Sequence, residues 1–223
     1  NQPMILITKL GKVDCQARHF LGDFSPSLVF VKLSETILQE PIPLFLPYRQ
    51  PLPNTQIYQD YLLDQCRRLI LGRKGLTVVL INDTQFRRQL TTALAAEFGN
   101  RVVHENIELA PNGVLCSHWN WWLENHHQLP LPEQLIIALL PLASLESPLT
   151  AARVQSFKRR GLDWFRGFLL PEALNLLPPA IAPLRRNNGR LAILDGRLRY
   201  RSWGKEVLNI LEPWVPLDRL LPD

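Results

Sequence analysis

Leu76-Thr-Val-Val-Leu-Ile81, followed at once by Asn82-Asp83-Thr84, decides the fold class of this chain. A continuous apolar run of this length, without polar alternation, suits a strand covered on both faces, as strands of parallel sheets are. Asn82-Asp83-Thr84 offers short polar side chains that can cap a helix. The helix expected after them runs from Gln85 to Phe98, and Gly99 ends it. Strand, cap and helix in this order make the first half of a βαβ unit.

The pattern repeats outward. Upstream, Ile57, Tyr61, Leu62, Leu69 and Ile70 recur near helical spacing, so a helix is expected from Gln56 to Leu71, with Gly72 as its stop. Downstream, short strands are expected at Arg101 to His104, Val114 to Ser117, Gln134 to Leu140 and Arg190 to Leu194. Helices are expected at Thr150 to Arg160, at Asp163 to Leu177 with a break at Pro171, and at Gly204 to Leu211. Apolar strands alternating with helices predict an α/β fold with a mainly parallel sheet flanked by helices. Nearer the start, Met4 to Thr8 and Leu28 to Leu33 read as short strands. Residues 41–54 carry Pro41, Pro43, Pro47, Pro51 and Pro53 and read as an extended connector, unsuited to a helix interior or a central strand. The expected organisation is therefore an N-terminal extended arm, 1–54, of lead-in strands and proline-rich connector, then one α/β lobe, 55–223.

Composition bounds the function. The chain has 223 residues, 46% hydrophobic and 20% charged, enough for a packed core and too apolar for a disordered segment. No apolar run approaches the roughly 20 residues of a membrane helix, so no membrane partner is expected. Cys15, Cys66 and Cys116 are scattered, without a CxxC, which fits a reducing, cytoplasmic compartment. There is no signal-peptide pattern, and Asn1 is not an initiator methionine, which fits a piece of a longer polypeptide.

The net charge of +5 is unevenly spread. Between Arg153 and Lys205 twelve basic residues face three acids, so this segment carries +9 and the remainder −4. Trp164, Phe165, Phe168, Tyr200 and Trp203 are interleaved with the cations. Such a mixture suits a nucleic-acid backbone, and equally a solvated basic face over buried aromatics. The strongest candidates for nucleic-acid contact are Arg153, Lys158, Arg159 and Arg160 near a helix end, followed by Arg185, Arg186 and Arg190. Trp119, Trp121 and Trp122 are expected in a turn that ends a strand, where they can stack bases or fill a core gap or an interdomain face. Cys116, His118, His126 and His127 lie close together, but their spacing fits no usual zinc finger, and no metal is expected. Asp195, in Leu194-Asp195-Gly196-Arg197, is expected to pair with an arginine or cap a turn.

Some motifs are missing. The chain has no GxxxxGK[ST], no GxGxxG, no GxSxG, no HExxH and no acidic box at a strand end for magnesium. An autonomous nucleotide hydrolase is hard to build without them.

The second half carries an ordered series of short motifs: Trp119-Asn-Trp-Trp122, Leu140-Pro141-Leu142, Ser147-Pro148-Leu149, Ala152-Arg153, Gly161, Phe165 and Leu170-Pro-Glu-Ala173. Leu191-Ala-Ile-Leu-Asp195, Arg197-Leu198 and Trp203-Gly204 follow. Over about residues 76–213 this resembles the C-terminal motor domain of DinG/XPD-type superfamily 2 DNA helicases, whose series reads FWEGVD, DKLPF, PxxPL, AR, NPF, LPxA, QGxGRxIR, LDxR and YG. Ile5-Leu-Ile-Thr-Lys9 stands where that family's TSAT-type motif would.

The resemblance implies a RecA-like lobe of the P-loop NTPase type. It binds single-stranded DNA or another nucleic acid and completes an ATP site with an upstream helicase lobe of the same polypeptide. ATP and Mg are implied only if that upstream lobe is present. Counted on from Leu170-Pro-Glu-Ala173, the QGxGR stretch falls on Pro179, Ala180, Ile181, Ala182 and Pro183. Pro183 stands where the finger arginine would be. Arg186 remains at the motif's last arginine and is the one catalytic candidate, with Arg185 beside it. Trp122 aligns with the FWEGVD tryptophan, Leu123 takes the place of its acid, and Glu124 comes one residue late. Loss of a finger arginine costs ~10³-fold or more in phosphoryl transfer. Two readings follow: a second motor lobe of a DinG-like helicase, and a catalytically degenerate helicase-derived module for nucleic-acid binding or protein scaffolding.

Overall fold

Seven strands form one parallel sheet in the computed structural model, which describes residues 40–217. The strands expected at 4–8 and 28–33, and the stretch 5–9, lie outside the described residues. The strands are β1 Ile42–Phe45, β2 Thr77–Leu80, β3 Val102–His104, β4 Val114–Ser117, β5 Gln134–Ile137, β6 Arg190–Ile193 and β7 Trp214–Pro216. Across the sheet they run β3-β4-β2-β5-β6-β1-β7, every pairing parallel. The helices are α1 Tyr58–Ile70, α2 Thr84–Phe98, α3 Trp119–Asn125, α4 Pro148–Arg159, α5 Leu170–Arg186, α6 Arg197–Tyr200 and α7 Gly204–Ile210. A π-helical turn, Phe165–Leu169, leads into α5. This is a RecA-like α/β arrangement.

The order of the strands dictates which face each helix covers. Crossovers β1 to β2 and β2 to β3 move one way across the sheet; β4 to β5, β5 to β6 and β6 to β7 move the other. With one hand for every crossover, the two sets of helices fall on opposite faces. Two cores result. Tyr58, Leu62, Cys66, Leu69, Leu90 and Leu94 of α1 and α2 pack on Val79, Cys116 and Ile136. Trp119, Trp122, Leu177, Ile181, Leu184 and Val207 pack on Val78, Leu115, Leu135 and Leu191. All four residues of β2 are buried, as its continuous apolar run predicts. The Asp83 carboxylate accepts from the Phe86 amide at 2.7 Å to start α2, and Gly99, at φ 64°, closes it.

Three expectations need correction, each because local propensity gave way to tertiary packing. Residues 41–54 are not all connector: Ile42–Phe45 is a strand between β6 and β7, so a boundary at 54/55 would cut through the sheet. Pro43 is tolerated there for a directional reason. The Ile42 amide donates to Pro213 O at 3.1 Å and the Leu44 carbonyl accepts from Leu217 N at 2.8 Å, so these two residues serve β7. Alternation turns Pro43 toward β6, where the register begins only at Leu44↔Leu191, and its missing amide costs no ladder bond. Pro171 does not break a helix either. It sits in the first turn of α5, which runs on through Pro178, Pro179 and Pro183. The tryptophan-rich stretch after β4 is the helix α3, not a turn.

By length and hydropathy the continuous helix Phe165–Arg186 could cross a membrane, and half of it is buried in this fold. It is the core helix of the α3–α5–α7 face.

Candidate functional site

In a parallel sheet the loops that follow the strands gather along one edge, where ligands of open α/β folds bind. The loop after β6 is latched to the loop after β5. Asp195 is fully buried. Its carboxylate accepts from Arg197 Nε at 2.9 and 3.1 Å and from Nη2 at 2.6 Å, from the Arg197 amide at 3.1 Å and from the Leu140 amide at 2.9 Å. The pairing expected of Asp195 is what the structure shows. Beside it the Tyr58 hydroxyl donates to the Ala138 carbonyl. Burial, and then the Asp195 charge, push that phenol's pKa well above its usual 10. The Gln50 amide donates to Ile193 O at 3.1 Å and ties the loop after β1 to the same corner.

The other half of the edge is closed by Arg87, which is 4% exposed. Its guanidinium donates to Ile81 O at 3.0 Å and to His104 Nε2 at 3.2 Å, and lies 3.3 Å from Glu105 Oε1. Glu105 adopts φ 45°, and its carboxylate also accepts from the His118 amide at 2.8 Å. His118 Nδ1 accepts from the Asn120 amide at 3.1 Å and starts α3. Burial, reinforced by Arg87, lowers the His118 pKa from 6.5. These groups bond to one another across the loops that follow β2, β3 and β4.

The basic candidates divide between opposite ends of the sheet. Arg185, Arg186 and Arg190 lie where α5 descends to the start of β6, at the amino edge. Arg185 donates to the carbonyls of Glu40, Leu211, Glu212 and Pro213, at 2.6 to 3.3 Å, and so binds α5 to the segments that enter β1 and β7. Arg190 Nε donates to the buried Gln134 at 2.6 Å. Both do structural work. Arg186 is exposed at the same edge, away from the loops that follow the strands. Trp122 must be corrected: it is fully buried, its indole N–H donates to Ala180 O at 2.9 Å, and no face is free for a base.

Arg153, Lys158 and Arg159 lie on α4, Arg160 caps its end, and all four are exposed. Arg153 pairs with Glu172 at 3.1 Å and covers the Phe168 ring. Lys158 covers Trp164, and Arg160 covers Phe157. Lys158 and Arg159 occupy the last turn of α4, where cations complement the carbonyl end of the helix dipole.

The structure also brings forward residues that the sequence reading counted as charge without singling them out. A groove of about 460 Å³ opens beside α6 and α7. Leu46, Leu198 and Leu208 form its floor, and the segment from Arg199 to Ser202, with Lys205, forms its rim. Arg199 donates to Leu46 O at 2.7 Å and Pro47 O at 2.8 Å and lies over the Tyr48 ring. The signal in the sequence is the run Arg197 to Lys205, where cations flank Tyr200 and Trp203. Among the described residues no group of three or more His, Cys, Asp or Glu side chains converges on a metal position.

Comparison with known proteins finds a helicase. The chain is 30% identical over 134 residues to the ATP-dependent DNA helicase YoaA of Escherichia coli (strain K12), an alignment covering 58% of this chain and 21% of that protein. The match thus spans about a fifth of the helicase's length. No family model matches the chain. The similarity relates the chain to helicases.

Proposed function

We propose that this chain is the second motor lobe of a DinG-like ATP-dependent DNA helicase, binding single-stranded nucleic acid and completing an ATP site with an upstream lobe of the same polypeptide. The observation that carries the reading is the 30% identity to a DNA helicase over 134 residues of a chain with a RecA-like sheet. Such a lobe needs cations for phosphates, and the +9 charge between Arg153 and Lys205 supports the reading. The test is fluorescence anisotropy with a labelled single-stranded oligonucleotide across a salt series. We expect binding at low salt that weakens log-linearly as salt rises. No binding at low salt would refute it.

One observation favours a second reading, a helicase-derived module without catalysis. The stretch Pro179 to Pro183 lies inside α5, with Ala180, Ile181 and Pro183 buried, and no side chain in it carries charge. Arg186, the remaining arginine, is at the amino edge. DNA-stimulated ATP hydrolysis in the complete polypeptide, lost on Arg186→Ala, supports the motor. Strand binding without stimulated hydrolysis supports the module.

A further inference from the structure

We propose that the groove beside α6 and α7 is where this lobe grips a single nucleic-acid strand, with Arg201 and Lys205 on its phosphates and Tyr200 against a base. The proposal deepens the nucleic-acid reading above and rests on it.

The first argument is which cations are free. Arg166 is held by Glu206 at 3.1 Å and Ser202, Arg185 by backbone carbonyls, Arg190 by Gln134, Arg197 by Asp195 and Arg199 by the carbonyls of Leu46 and Pro47. Among the described residues, no hydrogen bond or ion pair engages the side chain of Arg201 or Lys205, and both are exposed on the groove's rim. The nearby acid, Glu206, is already neutralised by Arg166. Among the described residues, a phosphate arriving here meets two cations with no unpaired carboxylate beside them.

The second argument is shape and chemistry together. A strand presents an anionic backbone and flat apolar bases, so its site needs cations beside an aromatic or aliphatic surface. The groove has both: a leucine floor, and a Tyr200 ring that is 58% exposed although it lies between two arginines. Tyr48, 80% exposed, lies against Arg199 and extends the aromatic surface toward the loop after β1. The volume suits a base and its sugar rather than a whole duplex.

The third argument separates this groove from the end of α4, the other exposed basic cluster. There Lys158 and Arg160 are folded over their own aromatic rings, at the negative end of a helix dipole that repels phosphate. The groove lies at the carboxyl edge of β1 and β6, among the loops that follow the strands, and its rim cations Arg201 and Lys205 are not folded over any described ring.

The test is anisotropy with a fluorescein-labelled oligothymidylate across a salt series, using the whole chain. Arg201→Ala/Lys205→Ala should lower the slope of log affinity against log salt by about 1.4, the share of two phosphates on a single strand. Tyr200→Ala should weaken binding by about fivefold or more while leaving that slope unchanged. Lys74→Ala/Arg88→Ala removes the same charge from exposed positions elsewhere and should preserve the slope. All the altered side chains are exposed, so the variants should melt with the wild type. If the wild type binds and the groove variants bind equally well, the groove is the wrong site and the nucleic-acid reading stands. If the Lys74/Arg88 variant loses as much as the groove variant, a general charge effect replaces the site. If the wild type does not bind at low salt, the underlying reading fails.

Discussion

Asp195 shows how a short spacing in sequence becomes a buried ion pair. One residue, Gly196, separates it from Arg197, and the turn there folds the guanidinium back onto the carboxylate. The Asp195 side chain is fully buried and that of Arg197 is 27% exposed, so most of the pair's solvation is lost and each charge depends on the other. Arg197→Met leaves an uncompensated buried carboxylate and should cost about 3–5 kcal/mol in urea unfolding. A loss under about 1 kcal/mol would mean that the backbone amides of Leu140 and Arg197 alone hold Asp195 well enough. The pairing was legible because an acid and an arginine two apart after an apolar strand have few other partners. Trp122 was not legible, since a tryptophan five residues after a strand reads the same on a surface or in a core. Only the packing of α3 on α5 decides it. The free cations Arg201 and Lys205 could not be told from Arg185 or Arg199 in sequence, because what consumes an arginine's donors is a distant carbonyl.

At the scale of elements, α2 could be read from its ends and α5 could not. Asp83 and Gly99 bracket α2 with chemistry that acts within a few residues. In α5 three interior prolines argue against a helix, yet its apolar residues, from Leu170 to Leu184, bury one face against the sheet. Tertiary burial outweighs the local penalty. Pro178 is exposed in mid-helix and denies the Leu174 carbonyl its helical donor. An interior proline costs about 3 kcal/mol, against about 0.4–1 kcal/mol gained by restricting the unfolded chain. Pro178→Ala should therefore stabilise the protein by roughly 2 kcal/mol, seen as a higher Tm. A lower Tm would show that the helix has found another partner for that carbonyl. Gly204 behaves differently: a Cβ there would collide with the Leu198 carbonyl, so α7 can approach α6 only through glycine.

For the whole molecule, alternation of strands and helices made the parallel sheet legible, while the order of strands depends on contacts far apart in the chain. The two faces also differ in their response to alkali. Tyr58, Cys66 and Cys116 lie in the α1–α2 core, and Tyr61 packs against it. Burial raises the pKa of all four, Tyr61 to about 12 and Cys116 to about 11. The folded protein therefore holds protons that the unfolded chain releases, the thiols from about 9 and the phenols from about 10. The stability tied to these groups is complete below about pH 9 and falls as pH climbs toward 11 to 12. Urea unfolding measured from pH 8 upward should show that decline, and a flat profile would mean that the groups ionise in place. A further consequence lies in the place of β1 between β6 and β7. During synthesis this strand leaves the ribosome long before either neighbour exists. The growing chain must carry it unpaired, with its apolar side chains waiting, until β6 and β7 emerge. A stop codon anywhere before residue 190 would leave β1 open on both sides, so two strands made long after it decide whether β1 folds.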